Sequence, residues 1–172
     1  MTRNALVQKV VPAVVALAAV GLLAACGSSN SSNSTAMSTH ISSAAAAPSA
    51  TLAATPWETT AAKNAQRGSV PLTDDSVENY VGFAYFRPNS TFTMFNLDNS
   101  PKMHGDWSVS PDGKTRTIVA KNDAGQEQFR RVVDIVTLTD QEFTYRVYPE
   151  PANKAVYYDI IHTPTTHPEP AE

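Results

Sequence analysis

Thr115-Arg116-Thr117-Ile118-Val119-Ala120-Lys121, a polar break at Asn122-Asp123-Ala124-Gly125, and a second arm from Gln126 to Thr137 form the stretch that decides the fold. The arms are rich in β-branched residues, and the break carries Asn, Asp and Gly, the residues that tolerate tight turns. Two such arms around a short polar break read as an antiparallel hairpin. Arg116, Ile118 and Ala120 share one face of the first arm. Phe129, Arg131, Val133 and Ile135 share one face of the second.

Working outward, the same grammar repeats. Short breaks recur at Pro88-Asn89-Ser90, Asn99-Ser100-Pro101, Pro111-Asp112-Gly113 and Thr139-Asp140-Gln141. They delimit eight expected strands near 57–63, 79–87, 91–97, 105–110, 115–121, 126–137, 142–149 and 155–162. Breaks this short join antiparallel neighbours, so the strands form a meander. The one long connection, Lys63 to Asn79, has room for a turn of helix. An eight-strand meander ends as a closed up-and-down barrel or an open sandwich. Closure removes both exposed edges, and the barrel is the expected architecture of this all-β domain. Alternation places Val81, Phe83 and Tyr85, then Phe92 and Met94, then Trp107 and Val109, on the inner face. Phe143, Tyr145 and Val147 follow, and then Val156, Tyr158, Ile160 and His162.

Arginines on an inner face demand an explanation. With a four-residue hairpin loop, Lys121 faces Gln126 and Arg116 faces Arg131. Two guanidiniums in a half-dry interior are costly without a counter-charge. Arg also suits two-pronged recognition of an anion. Two solutions are open. Glu127, Glu142 or Asp159 neutralises the pair within an internal network, or an anionic ligand does, with Tyr85, Tyr145, Tyr158 and His162 adding polar contacts. The candidate ligand-binding set is therefore Arg116, Arg131, Tyr85, Tyr145, Tyr158 and His162.

The beginning of the chain reads as an address. Arg3 and Lys9 precede an uncharged run from Val10 to Ala25, short of the roughly 20 residues of a membrane-spanning helix and fitted to a secretory signal. Residues 26–56 read as a disordered tether: from Gly27 to Thr55 there is no charged residue, and Ser, Ala, Thr and Asn dominate. Such a chain spans on the order of 30 Å root-mean-square. The barrel domain is expected over 57–164, and 165–172 is a Pro-rich tail.

Leu23-Ala24-Ala25-Cys26-Gly27 resembles the bacterial lipobox. The resemblance implies diacylglyceryl transfer to Cys26, cleavage before it, and anchorage to the outer face of the bacterial cell membrane. Cleavage removes Arg3 and Lys9 and takes the net charge from -3 to -5. An acidic domain gains no attraction from an anionic membrane, so the acyl chains would hold it. Gly105-Asp106-Trp107 with Asp112-Gly113 looks like an element of lipocalin-like and avidin-like barrels. Tyr80-Val81-Gly82, Gly105-Asp106-Trp107, Asp112 to Arg116, Phe143 to Arg146 and Asp159 to Pro164 together resemble the bacterial family catalogued as domain of unknown function 4822. That resemblance implies an exported lipoprotein with a lipocalin-like domain and carries no activity with it.

Other chemistries find little support. The 13 Lys and Arg are scattered, so no nucleic-acid footprint forms. One cysteine permits no intrachain disulfide and no Cys-based zinc site. His104 has no nucleophilic partner. His162 and His167 are separated by Pro164, and His40 lies alone in the tether. No catalytic set, metal site or cofactor is expected. The sequence reads as a lipid-anchored, non-enzymatic envelope protein whose barrel takes a small apolar or amphipathic anionic ligand; the alternative is a protein-interaction module with a filled barrel. Cys26→Ser is expected to leave the precursor uncleaved or release the protein from the membrane fraction. Normal processing with continued membrane attachment would exclude the lipobox.

Overall fold

The computed structural model describes residues 46–171, so the signal segment, Cys26 and the tether as far as residue 45 lie outside the described residues. A short helix α1 (Pro48–Leu52) is followed by β1 (Trp57–Asn64), β2 (Ser69–Val70) and a 3₁₀ turn (Glu78–Tyr80). Seven strands complete the domain: β3 (Phe83–Phe86), β4 (Thr91–Phe95), β5 (Pro101–Val109), β6 (Thr115–Lys121), β7 (Glu127–Leu138), β8 (Phe143–Val147) and β9 (Tyr158–Pro164). Each pairs antiparallel with the next from β3 to β9, and β1 pairs with both β3 and β9. Eight strands thus close into an up-and-down barrel, and β2 is a two-residue ribbon on the far end of β1.

The two sides of the β1 seam differ. Against β9, β1 makes seven paired positions, from Trp57↔Pro164 to Asn64↔Tyr158. Against β3 it makes two, Trp57↔Ala84 and Glu58↔Phe83, extended by the Thr59 N–H donating to Gly82 O at 3.0 Å. Gly82 has φ +150°, and a Cβ there would stand 2.1 Å from Phe95 O. Gly105 is alike, with φ +153° and a Cβ position 2.0 Å from Val119 O. Only glycine lets the strands approach this closely.

Bulges set the faces. Thr59 faces His162 and Ala61 faces Ile161, so Thr60 is an extra residue, and Trp57, Thr59 and Ala62 all sit buried. Lys102 is extra between Met94↔Met103 and Phe95↔Pro101. Val136 is extra between Ile135↔Tyr145 and Thr137↔Thr144. The core that results is aromatic: Phe86, Phe92, Trp107, Phe143 and Tyr145 pack with Trp57, Ile118 and Ile160. Phe143 is the hub, with Trp57 edge-on at 5.9 Å and Phe86 edge-on at 6.3 Å, contacts that add to simple area burial.

The expected inner faces hold for Phe92, Met94, Trp107, Val109, Phe143, Tyr145, Val147, Ile160 and His162. They fail on β3. Ala84 and Phe86 enter the core, whereas Phe83, Tyr85 and Phe95 form a second cluster on the outside. Gly82 precedes β3 in a conformation outside the ordinary strand region, with φ +150°, and the alternation inferred from Val81 does not carry through it. Phe129 and Val156 are exposed, Val156 lying ahead of β9.

Both domain ends extend beyond 57–164. Pro at the start of α1 suits a helix N-terminus. Leu52 is fully buried, and the Trp57 Nε1–H donates to its carbonyl at 2.9 Å. The folded part therefore includes residues that read as tether. At the other end, the His167 ring stacks on Phe83 at 4.0 Å, and Glu169 pairs with Arg87, so the tail straps the outer face of β3 and β4. Leu52→Ala should cost about 3 kcal/mol, read as a lower urea midpoint with an unchanged slope.

Candidate functional site

The β6–β7 hairpin delivers Arg116 and Arg131 to the interior, in a register different from the expected one. The turn is closed by Asn122 and Gln126, with Asn122 N–H donating to Gln126 O at 3.0 Å. Lys121 then faces Glu127, and Gln128 is a further extra residue, since Ala120 faces Phe129. The register is shifted by two. Arg116 faces Val133 and Arg131 faces Ile118, so the arginines are diagonal neighbours rather than opposite. A shift of two preserves the face, and both still line one interior cavity, with Lys102, Tyr80, Tyr145 and His162.

Arg116 is 2% exposed. Its guanidinium carbon lies 4.4 Å from the Tyr145 ring centre, 5.3 Å from Phe143 and 5.7 Å from Phe86. The ring faces supply partial negative charge to a desolvated cation. Among the described residues Nε has no hydrogen-bond partner. Burial pushes the Arg116 pKa down, the Tyr145 hydroxyl works against that, and the like charge of Arg131 adds to it. Burial also raises the Tyr145 phenol, against the pull of Arg116.

The expected internal network is not formed. Glu127 pairs with Arg130 at 3.0 Å. The Thr144 hydroxyl donates to Glu142 at 2.7 Å. Asp159 takes both prongs of Arg146, at 2.7 and 2.9 Å. Among the described residues, neither Arg116 nor Arg131 has a carboxylate partner. Arg131 instead lies 5.0 Å from the Tyr80 ring and 5.3 Å from Phe129.

Lys102 is the cation that strand reading missed. Its bulge turns it toward the cavity, and its Nζ donates to Val81 O at 2.6 Å. Burial and Arg131 both push its pKa down. The expected strand began at residue 105, and no local signal marks the bulge. Tyr80 falls within the expected 79–87 strand but outside its assigned inner face; it ends the 3₁₀ turn and lines the cavity.

The remaining candidates divide. His162 is 3% exposed with Nδ1 3.1 Å from Phe143 O, and its ring lies 5.2 Å from Tyr145. Burial, then the Arg116 charge, pushes its pKa down to about 3. Tyr145 belongs to the site. Tyr158 packs on the core without lining the cavity. Tyr85 is outside the barrel wall, its hydroxyl 3.0 Å from His167 Nδ1 and donating to Pro168 O at 3.1 Å. His167 therefore stands on the opposite side of the wall from His162, and it is packed against Phe83 rather than solvated.

The space a water-sized body can occupy in this cavity is about 20 Å³, roughly one water. In this conformation it has no room for an acyl chain. What the interior offers is a small cation-lined pocket in an aromatic shell.

Fold and site together define a closed antiparallel barrel that buries a guanidinium with no carboxylate partner among the described residues. A family model described as Domain of unknown function (DUF4822) matches residues 49–171, and the chain belongs to that family. A solved lipocalin-like protein from Bacteroides uniformis is similar at 13% identity and a TM-score of 0.44, over 64% of this chain and 96% of that one. No curated protein matches the sequence.

His162 gives the site a pH signature. Folded, it resists protonation down to about pH 3, whereas the unfolded residue takes a proton below its ordinary 6.5. The unfolded state thus binds more protons between these values. Stability is retained above pH 6.5 and lost as pH falls toward 3, by up to about 1.4 kcal/mol per pH unit. Urea unfolding at pH 7, 5.5 and 4.5 should show that slope reduced in His162→Gln relative to the parent.

Proposed function

We propose that the chain is a lipid-anchored protein of the bacterial cell envelope that binds an anionic group inside its barrel without transforming it. One observation carries the binding: Arg116 is fully buried with an unsatisfied Nε and no carboxylate partner among the described residues, in a cavity shared with Arg131 and Lys102. A buried charge left uncompensated is costly, and an incoming anion relieves that cost. With about 20 Å³ available, the group that enters is compact, of carboxylate or halide size.

The anchor rests on Cys26 in its lipobox setting. A binder is favoured over an enzyme because His162, the one buried histidine among the described residues, is held neutral, with a ring nitrogen engaged by Phe143 O, and is poorly placed to accept a proton near neutral pH.

Melting temperature in rising sodium acetate at constant ionic strength tests the reading. The parent should gain stability as acetate exceeds its dissociation constant, by about 2.7 kcal/mol at a hundredfold excess. Arg116→Met should be at least as stable without acetate and insensitive to it. Equal responses in the two proteins would exclude the site. That result would favour the interaction-module reading, which rests on Val132 and Val136, 59% and 48% exposed on β7.

A further inference from the structure

The cavity has a neighbour. Outside the barrel, beneath the 148–157 loop, lies a groove of about 330 Å³ lined by Arg130, Arg131, Asp134, Arg146, Tyr148 and Lys154, among others. Tyr80 and Arg131 line both spaces. These two side chains are the partition between a pocket that admits one compact group and a groove large enough for the body of a small molecule.

The groove is cationic in a protein that is acidic after cleavage. Arg146 is matched by Asp159, and Arg130 forms an exposed pair with Glu127, an interaction of little net worth. Lys154 has no carboxylate partner among the described residues; its Nζ stands 3.6 Å from the Tyr148 ring centre. Arg131 is held likewise over Tyr80. Aromatic faces fix the position of both cations and leave their hydrogen-bond donors to other partners.

We infer that the ligand is an extended organic dianion. One carboxylate passes the Tyr80–Arg131 partition to reach Arg116. The second stays outside on Lys154 and Arg130. The inference rests on the reading of the barrel as an anion binder and adds the class of molecule. It accounts for a site whose charged residues continue through the wall while its inner volume stops at a single group.

The test compares acetate with succinate, glutarate and adipate, titrated into the chain from Cys26 onward at constant ionic strength and followed by amide chemical shifts. At least one dicarboxylate should bind tenfold or more tightly than acetate. Lys154→Ala combined with Arg130→Ala should bring it down to the acetate level while leaving acetate affinity unchanged. Arg116→Met should abolish acetate binding and weaken the dicarboxylate. Uniform affinity across the series, or an advantage that survives the double substitution, would overturn the inference and leave the interior anion site standing. Dicarboxylate binding that ignores Arg116→Met would overturn both.

Discussion

The closure of β1 against β9 is the constraint on which the rest depends. Seven paired positions join the first long strand to the last, so the barrel cannot close until β9 has been made. Such long-range pairing is entropically expensive and is repaid only when the interior packs. Phe143 on β8 meets Trp57 on β1 and Phe86 on β3, so one ring ties strands from both ends of the sequence. The weaker side of β1, with two paired positions on β3, is reinforced from outside. The tail after β9 returns across β3 and β4, stacking His167 on Phe83 and pairing Glu169 with Arg87.

This closure creates the site by excluding water from it. Arg116 on an open sheet would be an ordinary strand arginine. Enclosed among Phe86, Phe143 and Tyr145 it becomes a desolvated cation, and the same enclosure drives His162 to about 3 and raises the Tyr145 phenol. The perturbed residues are one electrostatic unit. His162 is disfavoured as a cation partly because Arg116 already is one.

Much of the barrel was legible because strand alternation and turn chemistry are local. The β6 arm is found at 115–121 as expected, and the short polar breaks fall between consecutive strands, except that Pro101 of the Asn99-Ser100-Pro101 break already opens β5. What escaped were single-residue insertions, which are decided by pairing partners rather than by local sequence. Bulges at Thr60, Lys102, Gln128 and Val136 each shift the alternation, and Gln128 moved the arginine register. Tyr85 was misplaced by extending alternation through Gly82. Lys102 was missed because a bulged lysine looks like a loop residue. Arg116, Arg131, Tyr145 and His162 were legible as inward-facing, since a two-residue register error returns a strand to the same face. The domain limits were missed for another reason. Pro48–Leu52 and the tail are compositionally tether-like, and they are ordered by contacts, Leu52 with Trp57 and His167 with Phe83, that composition does not report.

The interior argues against a storage barrel for lipid. A vessel for acyl chains needs an empty apolar trough, and here the volume is filled by rings that converge on a guanidinium. Methionine or leucine at position 116 would satisfy the same shell at lower cost, since a well-packed apolar group replaces a buried charge with gain rather than loss. The protein carries the cost of Arg116 and places two further cations, Arg131 and Lys102, around the same small space. Repulsion among three like charges would be relieved by the anion proposed above, whereas ring faces alone give only partial relief. If the barrel binds an anion as proposed, stability and binding are coupled: the group that fits the cavity would also complete the core.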